Sequence, residues 1–135
     1  YKRQVPGLAG LGAGVEWILS QGVEALHEKE TALTRLFYEK IVHAPDVKIY
    51  GGFDETDRAP IVSLNFGDAD AARAADILWE DYGICVRAGA HCAPLIHKAL
   101  GTVEQGMVRF SFSHQNTETE VLKAAEAVCE LAEEG

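Results

Sequence analysis

Gly106-Met107-Val108-Arg109-Phe110-Ser111-Phe112-Ser113-His114-Gln115-Asn116-Thr117-Glu118-Thr119-Glu120-Val121 changes periodicity half-way along. From Met107 to Phe112 two faces alternate, the two-residue period of a half-buried strand. Val108, Phe110 and Phe112 fall on the face meant for a core, and Met107, Arg109 and Ser111 on the other. Thr117-Glu118-Thr119-Glu120 then has the form of a capping box. The Thr117 hydroxyl is placed to accept from the Glu120 amide while the Glu120 carboxylate reaches back. The helix this opens carries Val121, Leu122, Ala125, Val128, Cys129 and Leu131 at helical spacing. A strand that hands over to a helix, in a chain that begins with helical stripes, predicts an α+β domain.

Leu8, Leu11, Val15, Ile18, Leu19, Val23 and Leu26 form such a stripe, and it resumes at Leu33, Leu36, Phe37 and Ile41. A helix over 8–26 is therefore expected, followed by a second helix or a bent continuation that Pro45 closes. Strands are expected over 47–50, 61–66 and 84–86, with an alanine-rich helix over 69–82 and one or two helical turns over 94–100. The predicted architecture is a small sheet of about four strands with helices packed on one side.

A chain of 135 residues is one domain's worth. No apolar run is long enough to span a bilayer, and the start lacks a signal-peptide pattern, so no membrane role is expected. With 21 acidic against 12 basic residues and no basic cluster, nucleic acid is excluded as a partner. Three cysteines without regular spacing argue against a disulfide framework and for a reducing, cytoplasmic setting.

Gly10-Leu11-Gly12-Ala13-Gly14 lacks the preceding strand and the third glycine of a dinucleotide loop, Val15 standing there instead. Its glycines read as a place where another backbone comes close. Cys85 and Cys129 fall on apolar faces and read as core thiols. Cys85, His91, Cys92 and His97 lack the paired knuckles of a zinc site, so no metal is assigned. Cys92 stands apart. It follows the turn Ala88-Gly89-Ala90 and precedes Pro94 at a helix start, with Arg87 and His91 beside it. Positive charge and a helix N-terminus both favour the nucleophilic thiolate, though the residues alone leave a structural thiol equally open. Arg109, on a strand, suits bidentate recognition of a carboxylate if it faces a cleft, or a minor surface ion pair if it does not.

Residues 83–101, GICVRAGAHCAPLIHKALG, and 106–121, GMVRFSFSHQNTETEV, together resemble the C-terminal small domain of the class V aminotransferase-like, pyridoxal-phosphate-dependent cysteine desulfurases. The likeness is to the SufS-like, group II branch: a strand ending in Arg, a G-x-H-C-A loop, an R-x-S strand and an N-T-x-x-E helix start. VPGLAGLGAGVEWI, residues 5–18, resembles the interdomain helix of that family. The resemblance implies a small domain of a fold-type I enzyme over residues 5–135, with 1–4 as truncation or junction residues. It implies that Cys92 attacks the substrate sulfur and becomes a persulfide as L-cysteine gives L-alanine. It implies that Arg109 holds the substrate carboxylate, that Arg87 binds near the reactive loop, and that Asn116 and His91 support. His91 would tune the thiol or shuttle a proton, or serve only as a loop residue.

The same resemblance puts pyridoxal phosphate in a large domain that this sequence lacks. None of Lys29, Lys40, Lys48, Lys98 or Lys123 stands in the cofactor motif. The chain alone is thus expected to bind no cofactor and to be inactive. Ala90 stands where the branch often carries a second histidine. Other readings are a different class V enzyme (a selenocysteine lyase or an aminotransferase), or a standalone thiol, persulfide-carrier or metal-binding module. The implied partners are L-cysteine or L-selenocysteine, the missing large domain, a sulfur-acceptor protein, and a second copy in a homodimeric parent.

Overall fold

Gly22 divides the long N-terminal helical region. Its backbone, at φ 84° and ψ 119°, is one that glycine adopts without steric cost, so α1 (Val5–Gln21) ends there and α2 (Val23–Ile41) begins. The break expected between Leu26 and Leu33 is therefore displaced. The polar stretch His27-Glu28-Lys29 is a solvated turn inside α2, and the glycine decides the boundary. The structure, a computed structural model, describes residues 4–53 and 58–134, so of the expected junction residues 1–4 only Gln4, the residue that precedes α1, lies inside it.

Beyond α2 come β1 (Val47–Tyr50), β2 (Ile61–Phe66), α3 (Ala71–Glu80), β3 (Arg87–Gly89), α4 (Pro94–Leu100), β4 (Met107–Ser111) and α5 (Glu118–Glu134). The four strands form one antiparallel sheet in the order β1-β2-β4-β3, so β4 lies between two strands that α3 joins in sequence. Val62, Leu64, Phe66, Val108, Phe110 and Phe112 are buried in one cluster with Leu33, Phe37 and Ile41 of α2, Ala74 and Leu78 of α3, and Val121 and Val128 of α5. Phe37 sits tilted against Phe110 and Phe112, with ring centroids 4.8 and 5.1 Å away. The predicted α+β arrangement, a four-stranded sheet with helices on one side, is the observed one. No helix among the described residues is long and apolar enough to cross a membrane.

The third strand lies over 87–89 and not over 84–86. The Ile84 amide donates to the Leu78 carbonyl at the end of α3, so sheet pairing starts only at Arg87. Cys85 is exposed and is no core thiol, because Ile84 and Val86 on either side of it turn toward the core and leave it on the outer side. Cys129 is half-buried, and burial together with the Glu133 carboxylate pushes its thiol pKa up. In α1 nothing is buried, and no atom lies within 4 Å of a Cβ built at Gly10, Gly12 or Gly14. The close backbone approach expected there is thus not made by any described residue of this chain.

The capping box forms as read: the Glu120 amide donates to Thr117 Oγ1 at 3.2 Å and the Thr117 amide donates to Glu120 Oε2 at 2.8 Å. That backbone bond, helped by the Asn116 amide, holds the Glu120 carboxyl below its ordinary pKa. We expect Thr117→Ala to cost about 1 kcal/mol of stability. Because the folded-state pKa of Glu120 is depressed, its contribution is present above the unfolded carboxylate pKa and lost as pH falls through the folded value. Thermal melts of wild type and Glu120→Ala should therefore differ at neutral pH and converge in acid. A gap that persists in acid would refute the charge-assisted cap.

Candidate active site

Two arginines stand side by side on the sheet face opposite the helices. Register pairs Tyr50 with Ser63, Ser63 with Arg109, and Arg109 with Arg87, giving one cross-strand row. Since Val108 and Phe110 point into the core, the alternation of β4 sends Arg109 to the other face, and its row partners follow. Like charges directly opposite each other destabilise a sheet. Among the described residues no carboxylate is in ion-pair reach of either guanidinium, and Arg109 Nε is buried without a hydrogen-bond partner. The chain thus holds a concentrated, undercompensated positive charge, the electrostatic setting that an incoming carboxylate satisfies bidentately.

The loop after β3 carries Cys92 to this row. His91 and Cys92 both take left-handed backbone conformations, with φ 52° and 59°. Each costs a non-glycine residue on the order of 1–3 kcal/mol, so surrounding contacts must impose them. His91 Nε2 lies 2.8 Å from the Arg87 carbonyl, and the Ala93 amide donates to the Ala90 carbonyl. A carbonyl only accepts, so Nε2 carries the hydrogen and the neutral ring leaves Nδ1 bare. Burial holds the His91 pKa below its ordinary value; the Arg87 carbonyl bond opposes this, while charge from Arg109, His97 and Arg87 adds to it. The imidazole is therefore neutral at pH 7.

Cys92 is exposed, and its Sγ lies 3.9 Å from Arg87 Nη2. Helix α4 begins two residues further on but is only seven residues long. A helix end carries at most about half a charge, whereas Arg87 brings a whole one into contact, so the guanidinium is the larger influence on the sulfur. The structure thus brings Cys92, His91, Arg87 and Arg109 together. Asn116 lies apart, in the turn between β4 and α5, where its Oδ1 accepts from the Ser113 amide and its Nδ2 donates to Glu120.

Several neighbours escaped the sequence reading. Ser63 reads only as a polar position in a strand, and nothing short of register places it beside Arg109. His97, weighed only as a metal ligand, is buried against Thr102. Gly89 and Gly106 cross where the chain enters and leaves the Cys92 loop. Among the described residues no three His, Cys, Asp or Glu side chains are grouped as a metal ion requires.

The family model for aminotransferase class V matches residues 3–123. The chain belongs to the aminotransferase class V family. It is 35% identical over 115 residues to a probable cysteine desulfurase of Halobacterium salinarum, covering 85% of this chain and 27% of that protein. A cysteine desulfurase of Salmonella agona is 32% identical over the same shares. Among solved structures, the cysteine desulfurase CsdA of Escherichia coli, in an S-sulfonic acid form, superposes with TM-score 0.84 at 25% identity, covering 99% of this chain and 32% of that one. The apo cysteine desulfurase of Thermococcus onnurineus superposes with TM-score 0.85 at 32% identity, covering 93% and 30%.

This class V chain therefore spans about a quarter of the length of its curated relatives. The residues described do not by themselves suit pyridoxal phosphate. Lys29, Lys40, Lys48, Lys98 and Lys123 are all exposed, whereas a Schiff-base lysine is activated by an apolar pocket or a cationic neighbour.

Proposed function

We propose that this chain is the C-terminal part of a pyridoxal-phosphate-dependent cysteine desulfurase, working in a reducing cytoplasm. Here it would supply the nucleophile and the carboxylate clamp, and the remainder of the protein would supply the cofactor and its lysine. In the overall reaction the sulfur of L-cysteine passes to Cys92, which becomes a persulfide, and L-alanine departs. The carrying observation is the register that sets Arg109 beside Arg87, with the Arg87 guanidinium in turn 3.9 Å from Cys92 Sγ. A carboxylate held on Arg109 and a nucleophile held at Arg87 meet across one strand spacing, which is what proximity catalysis asks of the scaffold. His91, neutral with a bare Nδ1, is suited to accept a proton near the thiol. Asn116 acts at one remove, by fixing the start of α5.

The test is turnover of L-cysteine by the full-length protein, with alanine and sulfide both quantified. Arg109→Leu should lower kcat/KM roughly a hundredfold, about 3 kcal/mol, as loss of one partner of a desolvated charge pair does. No alanine from L-cysteine, with alanine formed from L-selenocysteine alone or with amino transfer to a 2-oxo acid, would replace this reading with another class V activity. An Arg109→Leu protein with unchanged kcat/KM would remove the clamp.

A further inference from the structure

His97 has no role in the site as described, yet its setting is unusual. It lies on α4, whose Leu95 is 81% exposed, while His97 itself is only 2% exposed. Its Nδ1 lies 2.9 Å from Thr102 Oγ1 and 3.3 Å from the Thr102 carbonyl, and Thr102 is buried too. The Thr102 amide donates to the His97 carbonyl, closing the clasp from the other side. The Thr102 hydroxyl is the nearer partner of Nδ1, and since a hydroxyl both donates and accepts it satisfies either tautomer of the ring. The ring stands edge-on to that of His91, with centroids 5.8 Å apart and planes at 66°. His91 in turn donates from Nε2 to the Arg87 carbonyl.

Burying an imidazole costs more than burying a leucine of similar volume unless its polar atoms are used. Contacts, not volume, therefore explain a histidine here. We infer that His97 is a positioning residue: clasped to Thr102, it backs the His91 ring and so holds the left-handed turn that presents Cys92 to Arg87. The inference rests on the reading of Cys92 as the nucleophile. It adds a continuous line of contacts, Thr102 to His97 to His91 to the Arg87 carbonyl, that spans the reactive loop and ties α4 to β3. The strained backbone at His91 and Cys92 needs such support from outside the loop, since neither residue favours that conformation by itself.

The experiment compares thiols within one molecule. In the full-length protein, Cys92 and the exposed Cys85 are alkylated together with iodoacetamide, and their rates are read separately by peptide mass spectrometry. His97→Leu keeps the volume and removes the clasp. It should lower the Cys92-to-Cys85 rate ratio about fivefold, the factor one net hydrogen bond is worth, because the sulfur drifts from Arg87. His97→Asn, whose amide can donate or accept at the position of Nδ1, should restore the ratio to within about twofold on the same scale. Thr102→Val, which removes only the hydroxyl, should lower the ratio in the same direction, and it decides the matter if the leucine variant does not fold. With L-cysteine, His97→Leu should lower kcat and leave KM unchanged, since Arg109 is untouched. An unaltered ratio in both His97→Leu and Thr102→Val, or an asparagine variant that behaves like the leucine one, overturns the inference. If Cys92 proves not to be the nucleophile, the alkylation ratio still shifts while activity does not, so the two failures are distinguishable.

Discussion

Replacing Cys92 by alanine should abolish sulfur release from L-cysteine in the protein that carries this chain, by roughly a thousandfold or more, about 4 kcal/mol of barrier. The size follows from the chemistry: without a thiolate to take the sulfur, neither of the other two thiols stands in its place. Cys85 is exposed, but the segment that holds it never joins the sheet that carries the arginine pair. Cys129 is half-buried on α5, and burial and Glu133 keep its thiol protonated to higher pH. Cys92 alone combines exposure with a guanidinium 3.9 Å from its sulfur. Serine in its place would not rescue, because an alkoxide is scarce near neutral pH and the serine oxygen cannot carry a persulfide. Alanine and sulfide production measure the loss, and trapping of a persulfide on the Cys92 peptide in wild type completes the test. Wild-type rates in Cys92→Ala would end the nucleophile assignment.

Among the described glycines, Gly106 is the one whose replacement by alanine should be most damaging. A Cβ there would lie 2.9 Å from Gly89 Cα and 3.3 Å from Gly89 C, and Gly106 itself has φ 71°. The obstacle is backbone, so no side chain can swing aside. Gly89 ends β3 and pairs with Met107 at the start of β4, so the two glycines meet where the Cys92 loop leaves and rejoins the sheet. The left-handed conformation costs alanine about 1–2 kcal/mol, and overpacking against a fixed backbone another 1–3. A loss of about 3 kcal/mol should lower the melting temperature by roughly 10 °C or more. Gly101→Ala is the control: its φ is also 71°, but nothing lies within 4 Å of the added carbon, so only the conformational part is lost. Equal melting temperatures for the two variants would refute the crossing as the cause. If the crossing parts, Arg87 also loses its register with Arg109, and Cys92 reactivity should fall with stability.

The difference between these two positions shows how far a sequence reads. Cys92 stood out as a candidate because its neighbours in the chain, Arg87, His91 and Pro94, carry the relevant chemistry, though only the family resemblance separated a reactive thiol from a structural one. Gly106 did not stand out, because its constraint comes from Gly89 across the sheet and leaves no local signature. The same holds for His97, whose helix exposes the apolar neighbours Leu95 and Ile96 and buries the imidazole, the reverse of what hydropathy suggests. Cys85 failed for a related reason: in an apolar run over 84–86 neither face is marked as the inner one, and the core behind the segment takes Ile84 and Val86 and leaves Cys85 outside.

What the sequence determined by itself is local. Alternation in 107–112 chose the core face of β4, and the Thr117–Glu120 spacing set the start of α5, whereas the helix break at Gly22 fell inside a stripe that reads as continuous through Leu26. Periodicity is a property of neighbours along the chain, so it reports which face of an element is apolar. It does not report which strand lies beside which. The insertion of β4 between β2 and β3, and with it the meeting of Arg109 with Arg87 and Ser63, was decided only in the tertiary structure. Burial of one sheet face against α2, α3 and α5 selects that order. The charged row on the opposite face is its consequence, paid for by the core behind it.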